Sequence, residues 1–388
     1  MDGGSNALCE RIINEIETVF SRDPSLSTFE IIPMPSNQNK SPVIHVEHNL
    51  GLESWCIKHV YDHCHRVILD SRLSHAHKHS HHGASVKYLN VAILINPDVA
   101  MFWNMRRHLV RQCKLKTDGE FHFSALVLSK KPKSSEAFAY RRWLYSFESR
   151  ESIDLAFEIS LCERCADRNA SNYHAWSHRL WVLEQEPRFL HFEIYLTEKF
   201  IRRHISDYSA YHHRVVVLRR LLQVGEMESE ENSDYASLCD LIDCLLGAGV
   251  AVGKTPAELL IILLPNAPPT TCLTWSANKQ FKSLLHCLNL AAYDLQLTQE
   301  LRDTFGDREA FELHRRAIVF FIVESCRLFD GSFGISGSVS VNNCHSPPAT
   351  KASRRENRFL DTLRLREAQR SEATRKWCQI FLDLPCDG

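Results

Sequence analysis

Apolar residues recur along most of this chain at helical spacing. Ile12, Ile13, Ile16, Val19 and Phe20 fall at i, i+1, i+4, i+7 and i+8, which predicts one amphipathic helix over residues 9–20. Residues 22–42 carry Pro33, Pro35 and Pro42 among Ser and Asn, and read as a loop. A helical pattern starts again near Gly51, stops at a histidine-rich tract over 75–82, and resumes from Ser85 with short breaks.

Within that periodic region one shape occurs four times. An aromatic side chain stands three residues before an arginine in Trp103/Arg106, Phe138/Arg141, Trp176/Arg179 and Tyr211/Arg214. The arginines lie 35, 38 and 35 residues apart, and each is followed by Leu- or Val-rich sequence. A period of this size with two apolar faces per unit predicts stacked helical hairpins. No hairpin can bury its own apolar face, so neighbours must stack. The fold expected is all-α, a superhelical solenoid of hairpins.

Two weaker copies follow. One, over 311–316, keeps His314, Arg315 and Arg316 but has Glu312 at the aromatic position; the other keeps Arg375 and Trp377. This divides the chain into an N-terminal helical segment (1–84), four repeats (85–224), an irregular insertion (225–305) and degenerate C-terminal repeats (306–388). Residues 331–357, rich in Ser, Gly and Asn, read as a disordered insert.

Composition narrows the function classes. The 388 residues are 44% hydrophobic and 24% charged, with a formal net charge of −1. No basic excess exists to hold nucleic acid. The greasiest stretch, 241–264, is broken by Asp243, Lys254 and Glu258, and its longest apolar run is about half of the ~20 residues a membrane-spanning helix needs. Fourteen cysteines without a secretory leader read as reduced thiols, so the expected compartment is the cytoplasm. Pro385, not a cysteine, stands fourth from the end, so the chain is not expected to be lipidated itself.

Three patterns could be mistaken for sites. Residues 248–255 fit a relaxed phosphate loop, but no strand–helix series surrounds them. The histidine tract lacks ordered ligand spacing. Cys162 and Cys165 form a lone CxxC on a helical pattern, with no second pair to complete a metal site.

Asn172, Tyr173, Trp176, His178 and Arg179, with prolines opening other copies at Pro97 and Pro132, resemble the repeat of protein prenyltransferase alpha subunits. Pro33, residues 41–47, 50–56 and 128–134 are similar to one branch, the protein prenyltransferase alpha subunit repeat-containing protein 1 family. The resemblance is good over about residues 10–220 and thin beyond.

It implies a helical alpha subunit paired with a separate beta subunit that carries zinc and an isoprenoid funnel. For this branch the implied partner is the beta subunit of the Rab-type geranylgeranyl transferase, with SNARE-type protein substrates and a prenyl diphosphate donor. The resemblance also assigns roles. Lys133 stands where the lysine that reaches the diphosphate would stand, five residues before Phe138. Ser135 and Phe138 replace that repeat's usual tyrosine and tryptophan, a departure that puts a full catalytic role for the copy in doubt. Asn172, Tyr173 and His174 match positions that line the alpha face of the site. On the residues alone, Asn172 equally suits a helix cap and Tyr173 a filler between repeats. Trp103, Trp176 and the repeat arginines suit a packing and hydrogen-bonding frame. No cofactor is expected in this chain. The competing function is a non-catalytic interaction scaffold using the same stack.

Overall fold

The computed structural model describes residues 3–37, 39–74, 84–147, 154–225, 234–267, 279–333 and 358–382. The chain divides into two compact units, Met1–Gln185 and Glu186–Gly388. In both, helical hairpins stack as an all-α solenoid. The histidine-rich tract and the Ser/Gly/Asn-rich insert fall outside the described residues, apart from the insert's first three, which end a helix.

The first unit opens with α1 (Gly3–Arg22), whose Ile12, Ile13 and Ile16 are buried. A small sheet follows: β1 (Thr28–Ile32), β2 (Val43–Val46) and β3 (Asn49–Glu53). β3 is central, parallel to β1 and antiparallel to β2. This corrects two expectations, a loop throughout 22–42 and a helix from Gly51. Strands of four or five residues are too short for alternation to show against the neighbouring prolines. At Gly51 close packing decides, since a Cβ there would meet the Ile32 Cδ1 at 2.5 Å. The helix begins only at α2 (Ile57–Ser74).

Next come α3 (Ala84–Ile95) and α4 (Ala100–Arg111), then α5 (Thr117–Lys130) with α6 (Ser135–Leu144), and α7 (Leu155–Arg168) with α8 (Tyr173–Gln185). The second unit holds α9 (Leu190–Arg203) and α10 (Tyr208–Val224), α11 (Asp234–Leu246), α12 (Pro256–Leu263), then α13 (Lys279–Phe305) with α14 (Glu309–Phe333), and α15 (Arg358–Ala368) with α16 (Glu372–Phe381). Residues 279–305, read from sequence as irregular, are thus one helix, the first of the fifth hairpin.

In three hairpins the second helix starts the same way. A residue seven positions before the repeat arginine closes the helix N-terminus. Ser134 accepts from the Ala137 amide, Asn172 from Ala175, and Asp207 from Ser209 and Ala210. Gly225, at φ 63°, ends α10 in the left-handed conformation that glycine tolerates.

Four of the repeat arginines cross to a carboxylate on the next hairpin. Arg106 on α4 binds Glu120 on α5 through Nε at 2.7 Å and Nη2 at 2.6 Å, and its Nη1 reaches Asn90 at 2.6 Å. Arg141 on α6 binds Glu158 on α7 through Nε and Nη2. Its Nη1 donates to the Phe121 carbonyl at 2.6 Å and to Ser124 Oγ at 2.8 Å. In the second unit Arg214 binds Asp294 on α13 at 2.7 Å, and Arg315 binds Glu367 on α15 at 2.9 Å.

Each of four carboxylates also receives a polar side chain twenty residues on. Tyr140 donates to Glu120, and His178, His213 and His314 meet Glu158, Glu193 and Asp294. Desolvating two ions costs several kcal/mol each, which only excellent geometry and further hydrogen bonds offset. Here both conditions are met. Glu158 is held down to about 2: burial resists its ionisation, and Arg141 and His178 outweigh burial.

The sixth hairpin breaks the pattern. Ser371 caps α16, accepting from the Thr374 amide, so the position seven later is Cys378, fully buried. Arg375 is exposed and is not the repeat arginine.

Arg141→Ala strands the buried Glu158 and should cost about 3–5 kcal/mol of stability, measured by urea unfolding followed through tryptophan fluorescence. Acid should act on the same groups. Glu158 and Glu10 each ionise near 2 in the fold, Glu10 against its own burial through bonds from His63, Lys87 and Tyr88. An unfolded glutamate ionises near ~4.3. Their depressed pKa values stabilise the fold fully above about pH 5, and that stabilisation drains as pH falls towards 2. Melting temperature should therefore drop steeply below pH 5.

Candidate functional site

The loops that lead into α6 and α8 lie side by side in the first unit. Asn172 joins them: its Nδ2 donates to the Pro132 carbonyl at 2.7 Å and to the Cys165 carbonyl at 3.1 Å. Its Oδ1 caps α8 at the Ala175 amide, 3.2 Å away. Asn172 is fully buried and its amide is spent on the fold. It does not present a polar group to a substrate. Ser171 before it adopts φ 53°, a left-handed turn unusual for serine, as the chain swings the asparagine inward.

Tyr173 and His174 project the other way. Tyr173 is 61% exposed, and His174 is exposed and packs edge-on against its ring, centroids 6.0 Å apart. Of the three lysines on the neighbouring loop, two are engaged. Lys130 is half-buried, donates to the Ile95 carbonyl, and is pushed down to about 8 by burial and by Lys131. Lys131 pairs with Asp98. Lys133 is exposed and has no ion-pair or hydrogen-bond partner among the described residues. The fold therefore sets a free cation, a phenol and an imidazole on adjacent loops, with the Asn172 amide as their tie. Such a surface can hold a charged, partly aromatic or apolar partner and place one positive charge against an anion.

Trp103 and Trp176 are buried, as are Arg106, Arg141, Arg179 and Arg214. Trp103 Nε1 donates to the Pro97 carbonyl at 2.8 Å, and Arg179 lies over the Trp176 ring. These residues frame the hairpins. Phe138 is buried against His178, and Ser135 beside Lys133 is exposed.

The carboxylates that anchor the frame were absent from the sequence reading. A signal existed. Glu120, Glu158, Glu193 and Asp294 each stand twenty-one residues before Arg141, Arg179, Arg214 and Arg315.

The other patterns carry no site chemistry. Cys162 and Cys165 are buried on α7, and burial pushes the Cys165 thiol up to about 12 and Cys162 upward as well. No group of three or more His, Cys, Asp or Glu among the described residues could hold a metal ion. Residues 248–255 connect two helices, α11 and α12, and the Thr255 hydroxyl forms a capping box with Glu258. A phosphate loop needs a strand there.

Comparison with known proteins agrees with this geometry. The model of the protein prenyltransferase alpha subunit repeat matches residues 117–147, 155–186 and 190–221. The chain is 33% identical over 201 residues to the protein prenyltransferase alpha subunit repeat-containing protein 1 of Danio rerio, covering 46% of this chain and 47% of that one. The Homo sapiens protein of the same name is 31% identical over 198 residues, covering 46% and 49%. The geranylgeranyl transferase type-2 subunit alpha of Mus musculus is 32% identical over 100 residues, covering 23% and 17%. The chain spans about half the length of the repeat-containing relatives it matches. It carries three copies of this repeat over the matched residues. Among the described residues no helix is long and apolar enough to cross a membrane.

Asn172→Ala removes a cap and two bridging bonds from a buried position and should cost about 2 kcal/mol. Tyr173→Ala, at an exposed one, should stay within about 0.5 kcal/mol of the parent. Paired urea titrations check the contrast.

Proposed function

We propose that this chain is the alpha-type subunit of a heterodimeric protein prenyltransferase. Its work is to support geranylgeranyl transfer from the diphosphate to a cysteine of a protein substrate, of the SNARE or Rab-pathway type. The repeat and the likeness to type-2 geranylgeranyl transferase alpha subunits support the reading. The observation that carries it is the set of Lys133, Tyr173 and His174, exposed on adjacent loops while every repeat arginine of the four full copies is buried.

The partner is a zinc-bearing beta subunit of the Rab geranylgeranyl transferase kind, and the complex works in the cytoplasm. Zinc bound there supplies a thiolate nucleophile from the substrate cysteine. As sulfur bonds to the prenyl carbon, the carbon–oxygen bond breaks and negative charge builds on the departing diphosphate. Lys133 Nζ has no competing partner among the described residues, which supports its role in meeting that charge. A cation aimed at developing charge lowers the barrier more than it tightens ground-state binding. Tyr173 and His174 offer an aromatic face beside it for the partner subunit or the substrate chain.

Co-expression with prenyltransferase beta subunits followed by size exclusion should yield a 1:1 complex that transfers labelled geranylgeranyl. Lys133→Ala should leave assembly intact and cut turnover by roughly a hundredfold. Unchanged turnover in a complex of that variant removes Lys133 from the mechanism. Failure to pair with any beta subunit favours the scaffold reading instead.

A further inference from the structure

The second unit concentrates arginines around two adjoining polar cavities. The first, of about 330 Å³, is lined by Arg302, Arg308, Arg315, Arg316 and Arg370 with Ser371. The second, of about 280 Å³, shares Gln299, Arg315 and Arg370 and adds Arg366. Asp307, Glu309 and Glu312 also line the first cavity and Glu367 the second, and each is engaged. Asp307 pairs with Arg302, and Glu312 with Arg316 at 3.3 Å. Glu309 accepts from the Tyr208 hydroxyl at 2.9 Å, and Glu367 takes Arg315.

Two cations remain under-used. Arg308 has no side-chain partner among the described residues. Arg370 comes no nearer than 3.8 Å to Glu367, which Arg315 already holds. Burial and the positive charge of Arg315 disfavour the charge on Arg370, an arrangement that an added anion would relieve. Two helix starts open onto the same space. The Arg308 carbonyl accepts the amides of Phe311 and Glu312 at the head of α14, and Ser371 caps α16.

We propose that this pair of cavities binds a compact anion carrying two or more phosphate groups. Planar guanidinium forks match phosphate oxygens two at a time, and helix starts add further attraction. The volumes suit a small oligophosphate, not a folded segment. The site is independent of the proposed prenyl-transfer role, because Lys133 lies in the other unit.

The test is calorimetric titration of the full chain with inorganic tripolyphosphate at low and at physiological salt. The wild type should bind with one-to-one stoichiometry, more weakly at the higher salt. The double variant Arg308→Ala, Arg370→Ala should bind at least about tenfold more weakly, with an unchanged circular dichroism spectrum. Arg308→Glu alone, at an exposed position, serves if the double variant does not fold, and should abolish binding. Lys133→Ala should bind as the wild type does, which separates this site from the proposed diphosphate contact. Absence of binding by the wild type overturns the proposal. So does equal affinity in the arginine variants, or loss of binding in Lys133→Ala alone.

Discussion

A buried arginine that crosses from one hairpin to a carboxylate on the next holds this repeat together. Arg106 and Glu120, Arg141 and Glu158, Arg214 and Asp294, and Arg315 and Glu367 repeat the same contact. A stack held by apolar burial alone could slide, since a hydrophobic face tolerates many registers. A two-toothed guanidinium–carboxylate contact tolerates only one. At Glu120, Glu158 and Asp294 a tyrosine or histidine of the acid's own hairpin joins the contact, so each of these acids is fixed from both sides. Register is thereby set hairpin by hairpin, at a desolvation cost that the additional hydrogen bonds to Asn90, Ser124 and Thr197 help to offset.

That constraint places the outward chemistry. In three hairpins the residue seven before the arginine closes the helix, and the residues on either side of that cap face out. Asn172 turns in because both donor hydrogens of its amide have carbonyls to meet. Tyr173 and His174 turn out because the next inward position is Ala175. Lys133 is exposed for the same reason, one residue before the cap Ser134. The helix starts and the loops before them carry the outward polar groups, and the buried frame decides where they sit.

The sequence showed the frame more readily than its partners. An aromatic three residues before an arginine is conspicuous at a period near 36, and those residues are buried as a frame requires. The acids escaped notice because charged residues are common on helix surfaces, and only a fixed offset of twenty-one separates Glu158 from its neighbours. The small sheet escaped because β1, β2 and β3 are short and lie among prolines. At the last copy the motif misled, since Arg375 is exposed and Cys378 takes the buried position. In the candidate site, the sequence left Asn172 between a cap and a substrate contact. Its burial decides for the cap. Lys133, Tyr173 and His174 are exposed.

The most direct measurement is amide hydrogen exchange on this chain, alone and with a prenyltransferase beta subunit. Residues 131–134 and 171–175 carry the loops in question, and exchange there reads whether a partner covers them. The account predicts strong added protection of both loops in the complex, with the buried helices unchanged. A stable complex that leaves both loops exchanging as they do in the free chain would contradict it.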